Sequence, residues 1–251
     1  MQFKLFLTII TLCVFAVPAS AGLLGYYTFE GNLNDMSGNG NNGVWANGGP
    51  LSLTSGYTGQ AYAFGAGPYV SVPININPSV MSQVTFGAWF NADNASPIRG
   101  AMSHDDGGFD RSLGIDNRGG GSGWSAFTGS GVVFGGAVTT GQWQFVAVRY
   151  NNATGAIAIT VDNNLTTASG YPGSSGVSTL AIGVNPNFDL PFSGVIDNAF
   201  VFNEYLTDQQ ITDIRRNGIG VNPPPVGEVP EPGTFALLGA GLLGVALLRR
   251  R

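Results

Sequence analysis

Hydrophobic and polar residues alternate along this chain in short runs, which glycine, asparagine and proline separate. The runs are rich in β-branched and aromatic residues, and a period of two predicts half-buried β-strands. Many short strands between turn residues predict one all-β sandwich. The runs are Leu23–Phe29, Ala61–Phe64, Tyr69–Val72, Val84–Asn91, Gly100–Ser103, Ser112–Asp116, Trp124–Thr128, Gln142–Tyr150, Ala156–Asp162, Thr179–Val184 and Phe192–Asn203.

The run Phe192–Phe202 differs from the others because a carboxylate, Asp197, stands in its middle. A carboxylate in an apolar strand is costly unless it is paired, richly hydrogen-bonded or bound to a metal. No Lys or Arg lies within twelve residues on either side of it. The partner of Asp197 is therefore the main question that the pattern raises.

One strand and its turn predict a hairpin near the middle of the chain. Both alternating sets of Trp143–Tyr150 are apolar, which indicates a central strand or one covered on both faces. Residues 151–155, Asn-Asn-Ala-Thr-Gly, have the length and chemistry of a hairpin turn. The strand that follows is predicted at Ala156–Val161.

A single short surface helix is predicted after the last strand. Thr207 and Gln210 form a capping box, and Ile211 and Ile214 fall on one face. Gly218 is a C-terminal stop signal. The helix therefore begins near Thr207 and ends near Gly218.

The first 21 residues predict a secretory signal peptide. Lys4 precedes an apolar run, Leu5–Val17, and Ala19-Ser20-Ala21 is an A-x-A cleavage pattern. The alternative is an uncleaved anchor, but the apolar run is too short for a spanning helix. The chain is therefore expected to be exported.

The other end predicts a spacer and a short membrane helix. Residues 221–229 are proline-rich and indicate an extended, semi-rigid segment. Thr234–Leu248 carries no charge and spans about 22 Å as a helix, short of the roughly 30 Å hydrocarbon core. Arg249, Arg250 and Arg251 follow it, and the positive-inside rule places them in the cytoplasm.

Residues 230–251 resemble the PEP-CTERM sorting signal of Gram-negative bacteria. The likeness lies in Pro230, Glu231 and Pro232, the short apolar helix, and the terminal arginine cluster. It implies recognition and removal by the membrane transpeptidase exosortase. The protein would be anchored transiently in the inner membrane and then displayed at the cell surface or released. The alternative is an ordinary tail anchor.

Composition narrows the functional classes. Residues 22–222 contain six Arg, no Lys and thirteen Asp or Glu, a net charge of −7. Nucleic acid is therefore excluded as an expected partner, because phosphate binding needs clustered cations. The one cysteine, Cys13, lies in the signal peptide, so the mature domain has no disulfide.

The body, residues 22–220, resembles the concanavalin-A-like and laminin-G-like jelly rolls. Residues 27–43, 141–148 and 192–206 carry the likeness, through Tyr-Thr-Phe-Glu-Gly-Asn, Gly-Gln-Trp-Gln-Phe-Val and the strand with its following residues. The resemblance implies a two-sheet antiparallel jelly-roll sandwich of roughly a dozen strands.

The loop after the first strand suggests a partner for Asp197. Its acidic and amide side chains place many oxygen donors on a Gly-rich turn, which suits calcium. Members of the resembled family often hold a structural Ca²⁺ here, and the matching positions are Glu30, Asp35 and Asp197. The alternative is a turn whose side chains only hydrogen-bond the backbone.

A second polar cluster, residues 103–111, contains the chain's only histidine. One interpretation is an exposed loop whose carboxylates cap turns. The other is ligand contact at the rim of the concave sheet by His104, Asp105, Arg111 and Trp124. Among the remaining tryptophans, Trp89 and Trp143 lie in apolar runs and are predicted to be core, while Trp45 is a candidate for exposure.

Catalysis is not expected. Glucanases of the resembled superfamily use two glutamates and an aspartate on one strand, and no such segment exists here. His104 has no serine on a Gly-x-Ser-x-Gly elbow to serve. The preferred hypothesis is an exported, non-catalytic domain that binds carbohydrate, exopolysaccharide or another matrix component. The alternatives are a structural or adhesive surface protein that contacts other proteins, and an exopolysaccharide hydrolase.

Overall fold

A computed structural model describes residues 22–220 apart from residues 97, 108, 109, 119, 130, 188 and 189. The predicted signal peptide, spacer, membrane helix and sorting motif lie outside the described residues. Within the described part, no helix has both the length and the apolar character needed to cross a membrane.

The described residues form sixteen strands and one helix. The first eight strands are β1 (Leu23–Tyr27), β2 (Val44–Ala46), β3 (Ser52–Ser55), β4 (Gln60–Phe64), β5 (Tyr69–Val72), β6 (Gln83–Ala92), β7 (Arg99–Ser103) and β8 (Ser112–Asp116). The others are β9 (Gly123–Thr128), β10 (Gly131–Gly136), β11 (Trp143–Asn151), β12 (Ala156–Val161), β13 (Asn164–Ala168), β14 (Leu180–Ile182), β15 (Leu190–Pro191), β16 (Gly194–Phe202) and the helix α1 (Asp208–Asn217).

The strands make two sheets, which confirms the predicted sandwich. Sheet 1 has the order β13-β12-β11-β6-β16-β4-β3, and β1 also pairs with β16. Sheet 2 has the order β10-β9-β8-β7-β14-β5-β2, and the short β15 runs parallel to β7. The other described pairings are antiparallel.

The main core lies between the two sheets. Phe90 of sheet 1 packs on Trp124 of sheet 2, with ring centroids 4.9 Å apart. Val146 and Val148 of β11 are fully buried in the same cluster. Removal of this apolar surface from water is the main favourable contribution to folding.

A second apolar layer covers the outer face of sheet 1. Phe145 and Ala147 of β11 lie in it, and Ile211 of the helix is buried there as well. Strand β11 thus lies between β12 and β6 and buries both faces, which confirms the prediction for Trp143–Tyr150. Its hairpin with β12 is also confirmed.

The helix has the ends that its sequence predicts. Thr207 and Gln210 form the capping box, in which the Thr207 hydroxyl accepts from the Gln210 N–H. Gly218 ends the helix with a backbone N–H that donates to the Ile214 carbonyl at 2.9 Å. Capping satisfies N–H and C=O groups that otherwise have no partner at helix ends.

Strand β16 changes its partner at Asp197. Residues 194–196 pair with β4, and residues 199–202 pair with β1. The register on the β6 side shifts between Asp197 and Phe200, and Asn198 has a positive φ of 51°. Asn tolerates this left-handed conformation better than most residues. The irregularity lets the Asp197 carboxylate leave the regular ladder.

Candidate functional site

Asp197 and Glu30 both hold the turn of the β3–β4 hairpin, residues 56–60. Asp197 has no exposed surface, and its Oδ2 accepts from the Thr58 N–H at 3.0 Å. Glu30 Oε2 accepts from the Gln60 N–H at 3.1 Å. Burial raises the pKa of Asp197 from 3.8 to about 6, and backbone N–H donors only partly offset this.

Three oxygen atoms of this turn and of Asp197 lie close to Gly56. A Cβ added to Gly56 would lie 2.5 Å from the Thr58 carbonyl oxygen, 2.7 Å from Asp197 Oδ2 and 2.8 Å from the Gln60 carbonyl oxygen. A side chain at position 56 would therefore collide with all three oxygens, which explains the glycine there. Asp197 Oδ1 is also buried, with no hydrogen-bond partner in the described chain.

Asp35, the third predicted calcium ligand, is engaged elsewhere. Its Oδ1 accepts from the Tyr26 N–H at 3.0 Å and the Ser37 N–H at 2.8 Å. Its Oδ2 accepts from the Asn41 N–H at 3.0 Å. Within the described residues, Glu30, Asp35 and Asp197 do not form a group whose ligand atoms all lie within 4.8 Å. Asp35 therefore has the backbone-bonding role of the alternative interpretation.

Two of the four predicted ligand-contact residues, His104 and Arg111, are buried structural residues, so the prediction was wrong for them. His104 Nε2 accepts from the Arg111 N–H at 3.2 Å, and burial lowers the His104 pKa to about 4. Arg111 donates to three backbone carbonyls, those of Ile76 (2.8 Å), Met81 (2.7 Å) and Ser82 (3.2 Å). Both side chains have no exposed surface, because the chain near residues 173–177 packs over them.

The prediction of ligand contact is also wrong for Trp124, because this residue lies in the core with no exposed surface. Its Nε1–H donates to Gln144 Oε1 at 2.9 Å, which satisfies the one polar atom of the ring. Its Gly and Ser neighbours indicated exposure, but alternation along β9 turns Trp124 inward. Trp45 is half-buried, 4.9 Å from the Tyr62 ring.

A cleft of about 340 Å³ lies on the outer face of sheet 2, and we call it the sheet 2 cleft. Its base consists of small residues on neighbouring strands, Gly100, Ser112, Gly114 and Ser125. Asp105, the fourth predicted ligand-contact residue, lines it at the β7–β8 loop. The small side chains leave room above the sheet for a ligand.

The polar groups around the sheet 2 cleft are held in place by hydrogen bonds. Asp105 Oδ2 accepts from Asn185 Nδ2 at 2.9 Å, and Oδ1 accepts from the Gly107 N–H at 2.7 Å. Arg118 Nε donates to both carboxylate oxygens of Asp116, at 3.0 and 3.1 Å. The Arg118 guanidinium carbon lies 5.3 Å from the centre of the Phe127 ring. The cleft therefore offers planar polar groups next to an aromatic ring.

Sequence reasoning missed Arg118, Phe127 and Asn185 as cleft residues. A signal existed for part of this set, since alternation along β8 places Ser112, Gly114 and Asp116 on one face. The partner strand was the missing information. No local pattern indicates that Asn185, eighty residues after Asp105, bonds to it.

A second cleft, of about 300 Å³, lies against the outer face of sheet 1 beside the helix. Tyr57 stacks on Trp89 there, with ring centroids 3.5 Å apart and planes at 10°. Trp89 also packs against Phe145, which confirms its prediction as a core residue. Arg215 and Arg216 lie on the helix side of this cleft.

The architecture defines a lectin-like β-sandwich with a cleft on the outer face of each sheet. A family model of the concanavalin A-like lectin/glucanases superfamily matches residues 64–212, more than half of the chain. The chain belongs to this superfamily. The PEP-CTERM protein-sorting motif matches residues 228–251, which confirms the predicted signal and indicates an exported protein that is membrane-anchored during sorting.

Similar solved structures include domain 4 of AbnA, a GH43 extracellular arabinanase from Geobacillus stearothermophilus, in complex with arabinotriose. The TM-score is 0.63 at 21% identity, over 78% of this chain and 99% of that domain. The binding domain of Paraclostridial Mosquitocidal Protein 1 has a TM-score of 0.61 at 12% identity, over 77% of this chain and 52% of that one.

A third similar structure is the binding domain of botulinum neurotoxin DC in complex with SialylT. Its TM-score is 0.57 at 14% identity, over 78% of this chain and 51% of that chain. The chain thus spans about half of each toxin binding domain. The comparison with curated proteins found no match. At these identities the structural likeness establishes the fold.

Proposed function

We propose that this protein is an exported, surface-sorted, non-catalytic domain that binds carbohydrate in the sheet 2 cleft. The observation that carries the proposal is the cleft itself. Fixed carboxylate, amide and guanidinium groups surround a base of small residues beside the Phe127 ring. Sugars present hydroxyl groups that pair with such planar polar groups and apolar C–H faces that pack on aromatic rings.

The fold comparisons support a binding role. Domain 4 of AbnA forms a complex with arabinotriose, and the botulinum neurotoxin domain forms one with SialylT. The sorting motif adds export, so the carbohydrate available to this protein is extracellular. We propose exopolysaccharide or another matrix glycan as the ligand class, with the cell surface or the extracellular matrix as the final location. Exosortase is the proposed processing partner.

Both carboxylates of the sheet 2 cleft are occupied as acceptors, which favours binding over hydrolysis. Asp116 is engaged by Arg118, and Asp105 by an amide and a backbone N–H. A glycosidase needs one carboxyl group that holds a proton and a second that acts as base or nucleophile. A measurement of reducing-sugar release from exopolysaccharide tests the hydrolase alternative directly.

We also propose that Glu30 and Asp197 hold a structural calcium, because Asp197 Oδ1 is buried with no hydrogen-bond partner in the described chain. Bound there, the ion supplies positive charge that offsets the buried Asp197 carboxylate. Asp197 connects the β3–β4 hairpin to β16, and Glu30 connects it to the segment that follows β1. Calcium in this place is a stabilising group and not part of the glycan site.

A glycan array that includes arabinotriose and sialylated oligosaccharides tests the carbohydrate proposal. For any glycan bound, Phe127→Ala and Arg118→Gln should each weaken binding about tenfold or more, because each removes a group that faces the ligand. Tyr57→Ala is the matched control, since Tyr57 is an exposed aromatic residue of the other cleft. If Tyr57→Ala abolished binding and Phe127→Ala left it intact, the glycan would bind in the second cleft and not in the sheet 2 cleft.

The absence of binding to any glycan would favour the second candidate, an adhesive or structural surface protein. That candidate predicts instead that the purified protein binds other proteins of the extracellular matrix. A pull-down with defined matrix proteins then separates the two functions.

A further inference from the structure

Three carboxylates of the β7–β8 loop form a cluster that the sequence did not single out as a metal site. Asp105, Asp106 and Asp110 each offer an oxygen atom, and these atoms all lie within 4.8 Å of one another. We call this group the Asp105 cluster. Asp105 and Asp110 are buried, whereas Asp106 is exposed, so the group is open to solvent on one side. Three like charges at this separation repel one another unless a cation or protons offset them.

One oxygen of the Asp105 cluster lacks the partner that burial requires. Asp110 has no exposed surface, and its Oδ1 has no hydrogen-bond partner within the described residues. Its Oδ2 accepts from the Asp106 N–H at 3.2 Å. A buried carboxylate oxygen without a donor is expensive, and a cation bound to it would offset that cost.

No positively charged side chain in the described part of the chain forms an ion pair with the cluster. The two ion pairs found there are Arg118–Asp116 and Arg149–Asp208. Arg111 follows Asp110 directly, but its guanidinium donates to the backbone carbonyls of Ile76, Met81 and Ser82. No ion pair within the described residues therefore offsets the negative charge of the cluster.

The segment around Gly176 encloses Asp110. Gly176 packs over the loop, and a Cβ there would lie 2.7 Å from Asp110 Oδ2 and would also collide with the His104 carbonyl oxygen. The Val177 N–H donates to that same carbonyl at 2.8 Å. A glycine at 176 lets this segment close over Asp110 while Asp106 stays at the surface.

We propose that the Asp105 cluster is a divalent-cation site and that calcium is the cation it takes. Every ligand atom of the cluster is an oxygen, and His104 is not part of the group, which favours a hard ion over zinc. Asp106 leaves an exposed side where water completes an irregular coordination shell, and calcium accepts such a shell more readily than magnesium. The site is separate from the Glu30–Asp197 pair.

The cation site adjoins the sheet 2 cleft through Asp105. The same carboxylate that belongs to the cluster accepts from Asn185 at 2.9 Å inside the cleft. If the carbohydrate proposal holds, on which this step alone rests, removal of calcium should weaken glycan binding because Asp105 loses its fixed position. Direct calcium binding does not depend on that step.

The test is calcium binding by isothermal titration calorimetry on chelator-treated protein that carries Asp197→Asn. That substitution removes a carboxylate of the other proposed calcium site, so the remaining stoichiometry belongs to the Asp105 cluster. We expect one calcium, with a Kd on the order of 0.1–1 mM, as for other extracellular calcium modules. A further Asp110→Asn or Asp106→Asn substitution should weaken this binding at least about tenfold.

Two variants at exposed positions serve as a second probe of the site and as its control. Asp106 is exposed, so Asp106→Asn reports on the site even if Asp110→Asn fails to fold. Asp93→Asn is the matched control, because Asp93 is exposed, lies outside the cluster and accepts a hydrogen bond from the Ser193 hydroxyl at 2.9 Å. The proposal is overturned if the Asp197→Asn protein binds no calcium. It is equally overturned if Asp106→Asn and a folded Asp110→Asn bind calcium as tightly as the Asp93→Asn control.

Discussion

Asp197 should make the calcium-free domain less stable as the pH rises from about 4 to about 6. Its pKa is raised from 3.8 to about 6 in the folded protein, chiefly by burial. Between these values the folded chain holds a proton on Asp197 that the unfolded chain has lost. The folded state therefore binds more protons, and stability falls as the pH rises through this window. The stabilisation from protonated Asp197 is complete below the pKa of the unfolded chain and is lost above the pKa of the folded protein.

The size of the effect follows from the pKa difference. The pKa rises from 3.8 to about 6, and a pKa change of one corresponds to about 1.4 kcal/mol, so Asp197 should contribute a loss of at most about 3 kcal/mol across the window. His104 acts in the opposite direction, because its pKa is lowered to about 4 and stability gained from it rises towards pH 6.5.

The contribution of Asp197 can be isolated by comparison of wild type with Asp197→Asn, whose amide does not titrate. Urea unfolding in a chelator between pH 4 and pH 7 gives both free energies of unfolding, and the contributions of His104 cancel in the difference. The difference should shift in favour of Asp197→Asn by at most about 3 kcal/mol as the pH rises. Asp213→Asn, which removes an exposed helix carboxylate, should follow the wild-type curve. A difference that stays constant over this range would refute the reasoning.

Two further outcomes test the calcium proposal and the core. Millimolar Ca²⁺ should raise the Tm of chelator-treated protein, since a ligand that binds only the folded state stabilises it. The part of that rise due to the Glu30–Asp197 pair should vanish in Asp197→Asn. An equal rise in the wild type and in Asp197→Asn would contradict this site. Trp124→Ala should cost about 3–5 kcal/mol in urea unfolding, because Trp124 is fully buried against Phe90; a cost below about 1 kcal/mol would show that the residue is not in the core.

The sequence alone was sufficient for the interior strands and the helix. β11 and β16 bury apolar side chains along their length, and an apolar run of this length between turn residues predicts a buried strand. The capping box at Thr207 and the stop at Gly218 are local hydrogen-bonding devices, so they too can be read without tertiary information.

The strands that the sequence did not predict include all four sheet edges. Sheet 1 ends in β13 and β3, and sheet 2 ends in β10 and β2. An edge strand pairs on one side only and buries little, as the fully exposed β3 shows. Selection for apolar alternation is therefore weak there, and these strands exist because a neighbouring strand supplies hydrogen bonds.

For the candidate sites, the sequence determined which residues carry charge, and only the tertiary structure decided which of them are accessible and what they meet. Asp197 was predictable as a carboxylate in need of partners, but the 56–60 turn that supplies them comes from a hairpin almost 140 residues away. His104, Arg111 and Trp124 have polar or glycine-rich neighbours, yet each is buried by a distant segment. A local sequence pattern can indicate that a buried group needs a partner. The identity of that partner depends on which distant strands the sheets bring together.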